Sequence, residues 1–236
     1  MKTYKDKLIC GDSIKIMKEM PDDSFDLIVT DPPYNAVNRK IGKMRSCRTM
    51  DKKGADSAPI DIPYLAKEFT RLCKKSIYIW CSTEQAGIWR DELTKNNLTT
   101  RQCVWVRTNP SPLNGDKMWL SGMELCIFAR KPKATFNRFC QLPAWYGPAQ
   151  RVKGFPCPKP VWLMEEIIDA SSHIDDLVLD PFMGSGSTIL GCMKLKRKYC
   201  GIEMDKGYFH VAQERIKDYK VPKMKGALKD ITMVDD

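Results

Sequence analysis

Asp31-Pro32-Pro33-Tyr34 sets an acid, two rigid imino residues and a flat phenol side by side. The fixed φ of the two prolines stiffens the turn, and Pro32, which lacks an N–H, leaves its carbonyl free to face a pocket. Asp31 can accept a hydrogen bond from a proton-bearing nitrogen, and Tyr34 offers a face for stacking. A planar base with an exocyclic NH₂ matches this set, with two acceptors for its two N–H groups and an aromatic shelf beneath the ring. A tight structural turn capped by an aspartate accounts for the same four residues, and the motif alone does not separate the two.

A second run, Asp180-Pro181-Phe182-Met183-Gly184-Ser185-Gly186-Ser187-Thr188, carries a different capacity. Gly184 and Gly186 tolerate unusual dihedrals and let a ligand approach the turn. No lysine precedes Ser187 or Thr188, so the run is not a phosphate-cradling Walker loop, nor is it a full GxGxxG fingerprint. Glu203 closes the next apolar run and can accept hydrogen bonds from ribose hydroxyls. A glycine-rich structural turn is the plainer reading, but the order strand, turn, helix, strand, acid favours a nucleoside ligand.

The elements that position these runs are those of parallel-sheet crossover units, short apolar stretches alternating with helical periods. Phe25–Thr30 reads as a buried strand ending at Asp31. Leu65, Phe69 and Leu72 mark a helix leading to a strand at Ile77–Trp80, and Ser82 with Gln85 makes a capping box for a helix through about Leu93. Gln102–Arg107 and Glu124–Ala129 read as two strands. Pro160 sits in the first turn of a helix burying Val161, Met164 and Ile168. Leu177–Leu179 is a strand, Ser187–Met193 opens a helix, Tyr199–Glu203 is a strand, and a last helix runs from about Gly207 to Tyr219.

The chain carries 39 basic against 29 acidic side chains, a formal net charge of +10, which favours a polyanionic partner. Its ten cysteines form no CxxC pair. Cys81, Cys103, Cys126 and Cys200 lie in apolar runs, where a reduced thiol acts as a small hydrophobe, and a reducing cytoplasm is the expected home. His173 and His210 have no metal-ligand spacing. No signal peptide opens the chain and no apolar run approaches about 18 residues, so neither a metal nor a membrane is expected.

Taken together, the motifs resemble those of the beta group of S-adenosyl-L-methionine-dependent DNA amino-methyltransferases, in which the acceptor motif precedes the cofactor motif. The resemblance runs from Cys10-Gly11-Asp12-Ser13 through Thr30-Asp31-Pro32-Pro33-Tyr34-Asn35, Asn109-Pro110-Ser111-Pro112 and Cys157-Pro158-Lys159-Pro160 to Gly201-Ile202-Glu203. It implies an α/β fold, the Rossmann-like methyltransferase architecture: a mostly parallel seven-stranded sheet, helices on both faces, one antiparallel strand near the edge and a permuted motif order, in a single domain over residues 1–236. Asp31, Pro32, Pro33 and Tyr34 would be catalytic. The cofactor would meet Asp12, Ser13, Asp31, Lys159, Asp180, Pro181, Phe182, Gly184, Gly186, Ser187, Thr188 and Glu203, with Glu203 at its ribose. Lys159 matches a lysine of the family's HPTQKP-like segment, whose His and Gln are replaced here by Phe155-Pro156-Cys157-Pro158. The implied reaction is methyl transfer to N6 of a flipped adenine in double-stranded DNA, within a restriction-modification setting. A homodimer is implied by the resemblance alone.

Two segments stand outside the sheet pattern. The stretch 35–60 places seven basic residues between Arg39 and Lys53 against the single acid Asp51. It reads as a mobile DNA-contacting insertion, with Arg39, Lys40, Lys43, Arg45 and Arg48 on phosphates. The stretch 131–157, with Trp145, Tyr146, Arg151, Lys153 and Phe155, reads as the target-recognition segment, Arg151 and Lys153 contacting DNA. Solvated surface loops are the bland alternative. Rival activities are cytosine N4 methylation, for which family members usually carry serine in place of Asp31, and a non-catalytic cofactor-sensing DNA-binding protein. The pair Pro156-Cys157 matches superficially the nucleophile motif of cytosine C5 enzymes, though a structural thiol beside a helix start explains it as well.

Overall fold

A computed structural model describes residues 4–34, 60–112 and 115–219. The strands are β1 (Lys7–Cys10), β2 (Phe25–Thr30), β3 (Cys73–Cys81), β4 (Thr99–Arg107), β5 (Met123–Arg130), β6 (Ala144–Gly147), β7 (Leu177–Asp180) and β8 (Lys198–Glu203). The helices are α1 (Ser13–Lys18), α2 (Ile62–Leu72), α3 (Thr83–Lys95), α4 (Val161–Ser171), α5 (Ser187–Lys194) and α6 (Lys206–Asp218). The strands form one sheet in the order β1-β8-β7-β2-β3-β5-β4-β6. Every pairing is parallel except those of β5, which runs antiparallel to both β3 and β4.

The expected α/β architecture is therefore present, with eight strands rather than seven. The additional strand is β6, inside the stretch read as a target-recognition segment. It pairs with β4, setting Trp105 opposite Trp145. The expected single antiparallel strand is β5.

Side chains alternate across the sheet with the period of a strand. On one face Ile28, Ile77, Ile79, Leu177 and Leu179 pack with Met17, Leu65, Phe69, Trp89 and Leu93 from α1, α2 and α3. On the other, Leu27, Val29, Tyr78, Trp80 and Val178 pack with Leu163, Met164, Ile167 and Ile168 of α4. Both faces are covered, as a parallel sheet requires. Local chemistry fixes the helix starts. Both halves of the Ser82–Gln85 capping box form at α3, and Asp61 caps α2 by accepting from Tyr64 N–H at 3.0 Å. Pro160 is the N-cap of α4, one position earlier than expected. Cys81, Cys103, Cys126 and Cys200 are all buried.

Strand order decides where a ligand can sit. The chain leaves β2 toward β3 on one side, while β7 pairs with β2 on the other, so the connections diverge between β2 and β7. Such a switch point opens a crevice outside the carboxyl ends of the strands. Asp31 follows β2 and Asp180 ends β7, which brings the two motifs together across that crevice.

Candidate active site

The crevice is a cavity of ≈ 450 Å³, within the range of about 300–1,000 Å³ usual for small-molecule sites. Its walls come from the carboxyl ends of β2, β3, β4, β7 and β8, from the start of the antiparallel β5, and from the loop before α4.

On the β7–β8 side, acids are held by backbone N–H groups and one hydroxyl. Glu203 Oε2 accepts from Gly184 N–H at 3.0 Å and Oε1 from Asp205 N–H at 2.8 Å. Each oxygen keeps a lone pair for a further donor. Burial pushes the Glu203 carboxyl above its ordinary range, against those stabilising amides. Asp180 Oδ1 accepts from Thr30 Oγ1 at 3.0 Å and Phe182 N–H at 3.2 Å, tying β7 to β2. Burial lifts its pKa to about 7. Asp12 caps α1, accepting from Ile14 N–H at 2.9 Å, and Ser13 donates to the Pro181 carbonyl. Asp12, Ser13, Pro181, Phe182, Gly184, Ser187 and Thr188 all line the cavity.

The two glycines differ. Gly184 has φ +48°, and a Cβ there would stand 2.7 Å from the Phe155 ring, which itself packs on Tyr208 at 4.7 Å. Gly186 has φ +77° and faces Ala212 and Ile216 of α6 rather than the cavity. Its freedom serves helix packing.

On the β2 side the charges are held by side chains. Lys159 Nζ donates to Asp31 Oδ2, to Tyr34 Oη at 3.1 Å, and lies 3.1 Å from Glu124 Oε2. It also sits over the rings of Trp80 and Tyr34, at 5.2 and 5.5 Å from their centroids, an arrangement that favours a cation. Glu124 pairs in turn with Arg107. The result is an alternating chain, Arg107, Glu124, Lys159, Asp31. Burial opposes the Lys159 charge, but Asp31 and Tyr34 outweigh it and hold the ammonium above the usual lysine range. Burial first, and then the Asp31 carboxylate, push the Tyr34 phenol well above its ordinary value. Asp31 Oδ1 is buried and has no hydrogen-bond partner. Pro32, buried at the same wall, and Pro33 complete this side.

Sequence reasoning placed Lys159 with the cofactor and did not single out Trp80, Arg107 or Glu124. The structure sets Lys159 against the acceptor motif. The readable signal was a glutamate opening an apolar strand, Glu124, where its charge needs a partner. Arg151 and Lys153 are exposed on the loop ahead of α4, and Cys157 lines the cavity mouth. Trp145 is half-buried, 6.0 Å from Trp80 between ring centroids, and so belongs to the sheet's packing. Arg39, Lys40, Lys43, Arg45 and Arg48 lie outside the described residues. Among the described residues, no group of three or more His, Cys, Asp or Glu is placed to hold a metal, and no helix is long and apolar enough to cross a membrane.

Comparisons with known proteins bear on the family and the fold. A family model described as DNA methylase, of the N6/N4 type, matches residues 82–214. The type II methyltransferase M.HinfI of Haemophilus influenzae is 27% identical over 252 residues, covering 92% of this chain and 70% of that protein. The crystal structure of an M1.HpyAVI–SAM complex superposes with a TM-score of 0.71 at 27% identity, covering 89% of this chain and 98% of the other. The PvuII DNA methyltransferase, cytosine-N4-specific, shares the fold, with a TM-score of 0.70 at 18% identity over 91% of this chain and 87% of its own.

Proposed function

This chain belongs to the beta group of the N6/N4 DNA methylase family, and we propose that it methylates the N6 amino group of a flipped adenine in double-stranded DNA. As a family member it uses S-adenosyl-L-methionine to methylate an exocyclic amino group in DNA. The choice of adenine over cytosine N4 rests on Asp31, where resemblance associates serine with N4 enzymes.

The cofactor fits the β7–β8 side of the crevice. Glu203 keeps acceptor capacity beside Gly184, suited to ribose hydroxyls, and the anionic form of buried Asp180 would favour a cationic ligand. Asp12, Ser13, Phe182 and Thr188 would hold the remainder. When bound, the cofactor supplies an electrophilic methyl group on a sulfonium.

A single observation carries the acceptor half: Asp31 Oδ1 is buried at the cavity wall and unpartnered, while Oδ2 is fixed by Lys159. A buried carboxylate oxygen without a donor is costly unless a ligand supplies one. The adenine amino lone pair is delocalised into the ring and weakly nucleophilic. Hydrogen bonds from its two amino hydrogens to Asp31 Oδ1 and the Pro32 carbonyl favour a pyramidal nitrogen and aim its lone pair into the crevice, while Tyr34 stacks on the ring. The chain thus contributes positioning and electrostatics, with no covalent enzyme intermediate. The target base must leave the duplex to enter, at a cost of a few kcal/mol. The surplus cations, including Arg39, Lys40, Lys43, Arg45, Arg48, Arg151 and Lys153, would serve phosphate contacts.

Nucleosides from DNA of a methylation-deficient host expressing the chain, resolved by mass spectrometry, test the proposal. N6-methyladenine is expected. N4-methylcytosine alone would transfer the reading to the cytosine enzymes, and 5-methylcytosine would require Cys157 as nucleophile instead.

A further inference from the structure

The Lys159 ammonium has three N–H donors and three acceptors around it: Asp31 Oδ2, Tyr34 Oη and Glu124 Oε2. Two of these contacts are hydrogen bonds, and Glu124 stands as an ion-pair partner at 3.1 Å. Its side chain is 9% exposed and that of Glu124 16%, so neither charge is compensated chiefly by water. Glu124 is fixed from behind, because Arg107 pairs with its other oxygen, Oε1.

We propose that Glu124 and Lys159 are positioning residues that orient the Asp31 carboxylate, with Glu124 holding the ammonium where it captures Oδ2 and turns Oδ1 toward the target amino group. This rests on the reading of Asp31 as acceptor for that group. A carboxylate rotates readily about its last torsion, so an untethered Asp31 would present either oxygen in many orientations. Tethering one oxygen leaves the other aimed. The alternation of charge also keeps Arg107 from competing. With Glu124 neutral, two adjacent cations would share a single carboxylate, and the acceptor left beside Lys159 would carry no charge.

The test is Glu124→Gln in the full chain, assayed by single turnover with saturating S-adenosyl-L-methionine and duplex DNA. The rate is expected to fall at least about tenfold, while binding constants for cofactor and duplex stay within about twofold, because the proposed role of Glu124 is exerted through Lys159 and not on either ligand. Glu124→Asp, which keeps the charge, should restore part of the rate. A residue that only supports the fold would not lower the saturated rate while leaving both binding constants in place.

Asp31→Ala is measured alongside. If it retains turnover, the acceptor reading itself falls. If it is inactive while Glu124→Gln keeps the wild-type saturated rate, the acceptor reading stands and the positioning role is overturned. Weakened cofactor binding with an unchanged saturated rate would place the pair at the cofactor and overturn it equally. Should Glu124→Gln fail to fold, Lys159→Met carries the same test, with a wild-type saturated rate as the overturning result.

Discussion

The two halves of the crevice hold their acids by different means. On the β7–β8 side, Glu203 is met by backbone N–H groups two and nineteen residues away, and Asp180 by the Phe182 N–H and by the Thr30 hydroxyl across the sheet. On the β2 side, Asp31 is met by an ammonium from a residue 128 positions later, itself paired with Glu124 from a third strand. Backbone amides are fixed donors that tolerate side-chain change. An ion-pair chain depends on every member, since removing one leaves a buried charge unmatched. The cofactor side should therefore degrade gradually under mutation, and the acceptor side abruptly.

Asp31→Ala is the largest test of that contrast. Turnover should fall by about 10²–10³ or more, the scale of removing a preorganised electrostatic contact, with cofactor affinity barely altered. Near-normal turnover at saturating DNA would end the proposed division of labour.

A second effect is set by pH. The folded-state pKa of Asp180 is raised from 3.8 to about 7 by burial. Its contribution to stability is then fully present below about pH 4 and is lost as pH rises through about 7, because the folded state alone retains the proton in that window. Urea titrations from pH 4 to pH 8 should show this decline. Asp180→Asn keeps the acceptor for Thr30 and Phe182 and should flatten it by up to a few kcal/mol. Parallel slopes in the two proteins would show that Asp180 titrates normally.

Glu203→Ala should weaken S-adenosyl-L-methionine and S-adenosylhomocysteine together, by about tenfold to a hundredfold for one or two hydrogen bonds to a charged acceptor, since both carry the same ribose. Calorimetry reporting unchanged affinity for both would place the ribose elsewhere. An effect of similar size is expected at Tyr34. Loss of the ring in Tyr34→Ala should cost about 1–3 kcal/mol in DNA binding, by analogy with single-base stacking, while Tyr34→Phe should be milder. Equal, severe losses would make the hydroxyl contact with Lys159 the main function of Tyr34.

What could be read ahead of the structure follows the same division. Strand β2 ran over Phe25–Thr30 as expected because three consecutive apolar residues sit between turn signals. Helix α3 began at its capping box because both partners lie within one turn. Strand β1 was not foreseen. Its four residues, Lys7-Leu8-Ile9-Cys10, offer two strong apolar side chains and no buried run. Helix α1 has six residues, too few to show a period. Strand β6 went unseen because Trp145 and Tyr146 looked like recognition residues in a polar loop. It is a strand through its pairing with β4, a partner no local pattern announces. The glycine-rich turn stands where the sequence put it, and of its two glycines Gly184 lines the cavity while a side chain at Gly186 would face α6.

By itself the sequence determined the acid-proline-proline-tyrosine turn after one strand, the glycine turn after another, and the acid closing a third. These depend on residues close along the chain, where hydrophobic period, proline geometry and capping act. Only the tertiary structure decided that Lys159 meets Asp31, that Glu124 and Arg107 stand behind it, and that Asp31 Oδ1 is left without a partner. Those facts follow from strand order, which sets the ends of β2, β3, β4 and the antiparallel β5 at one edge. Coulomb attraction between side chains acts through space at a few ångströms and carries no trace of the separation along the chain.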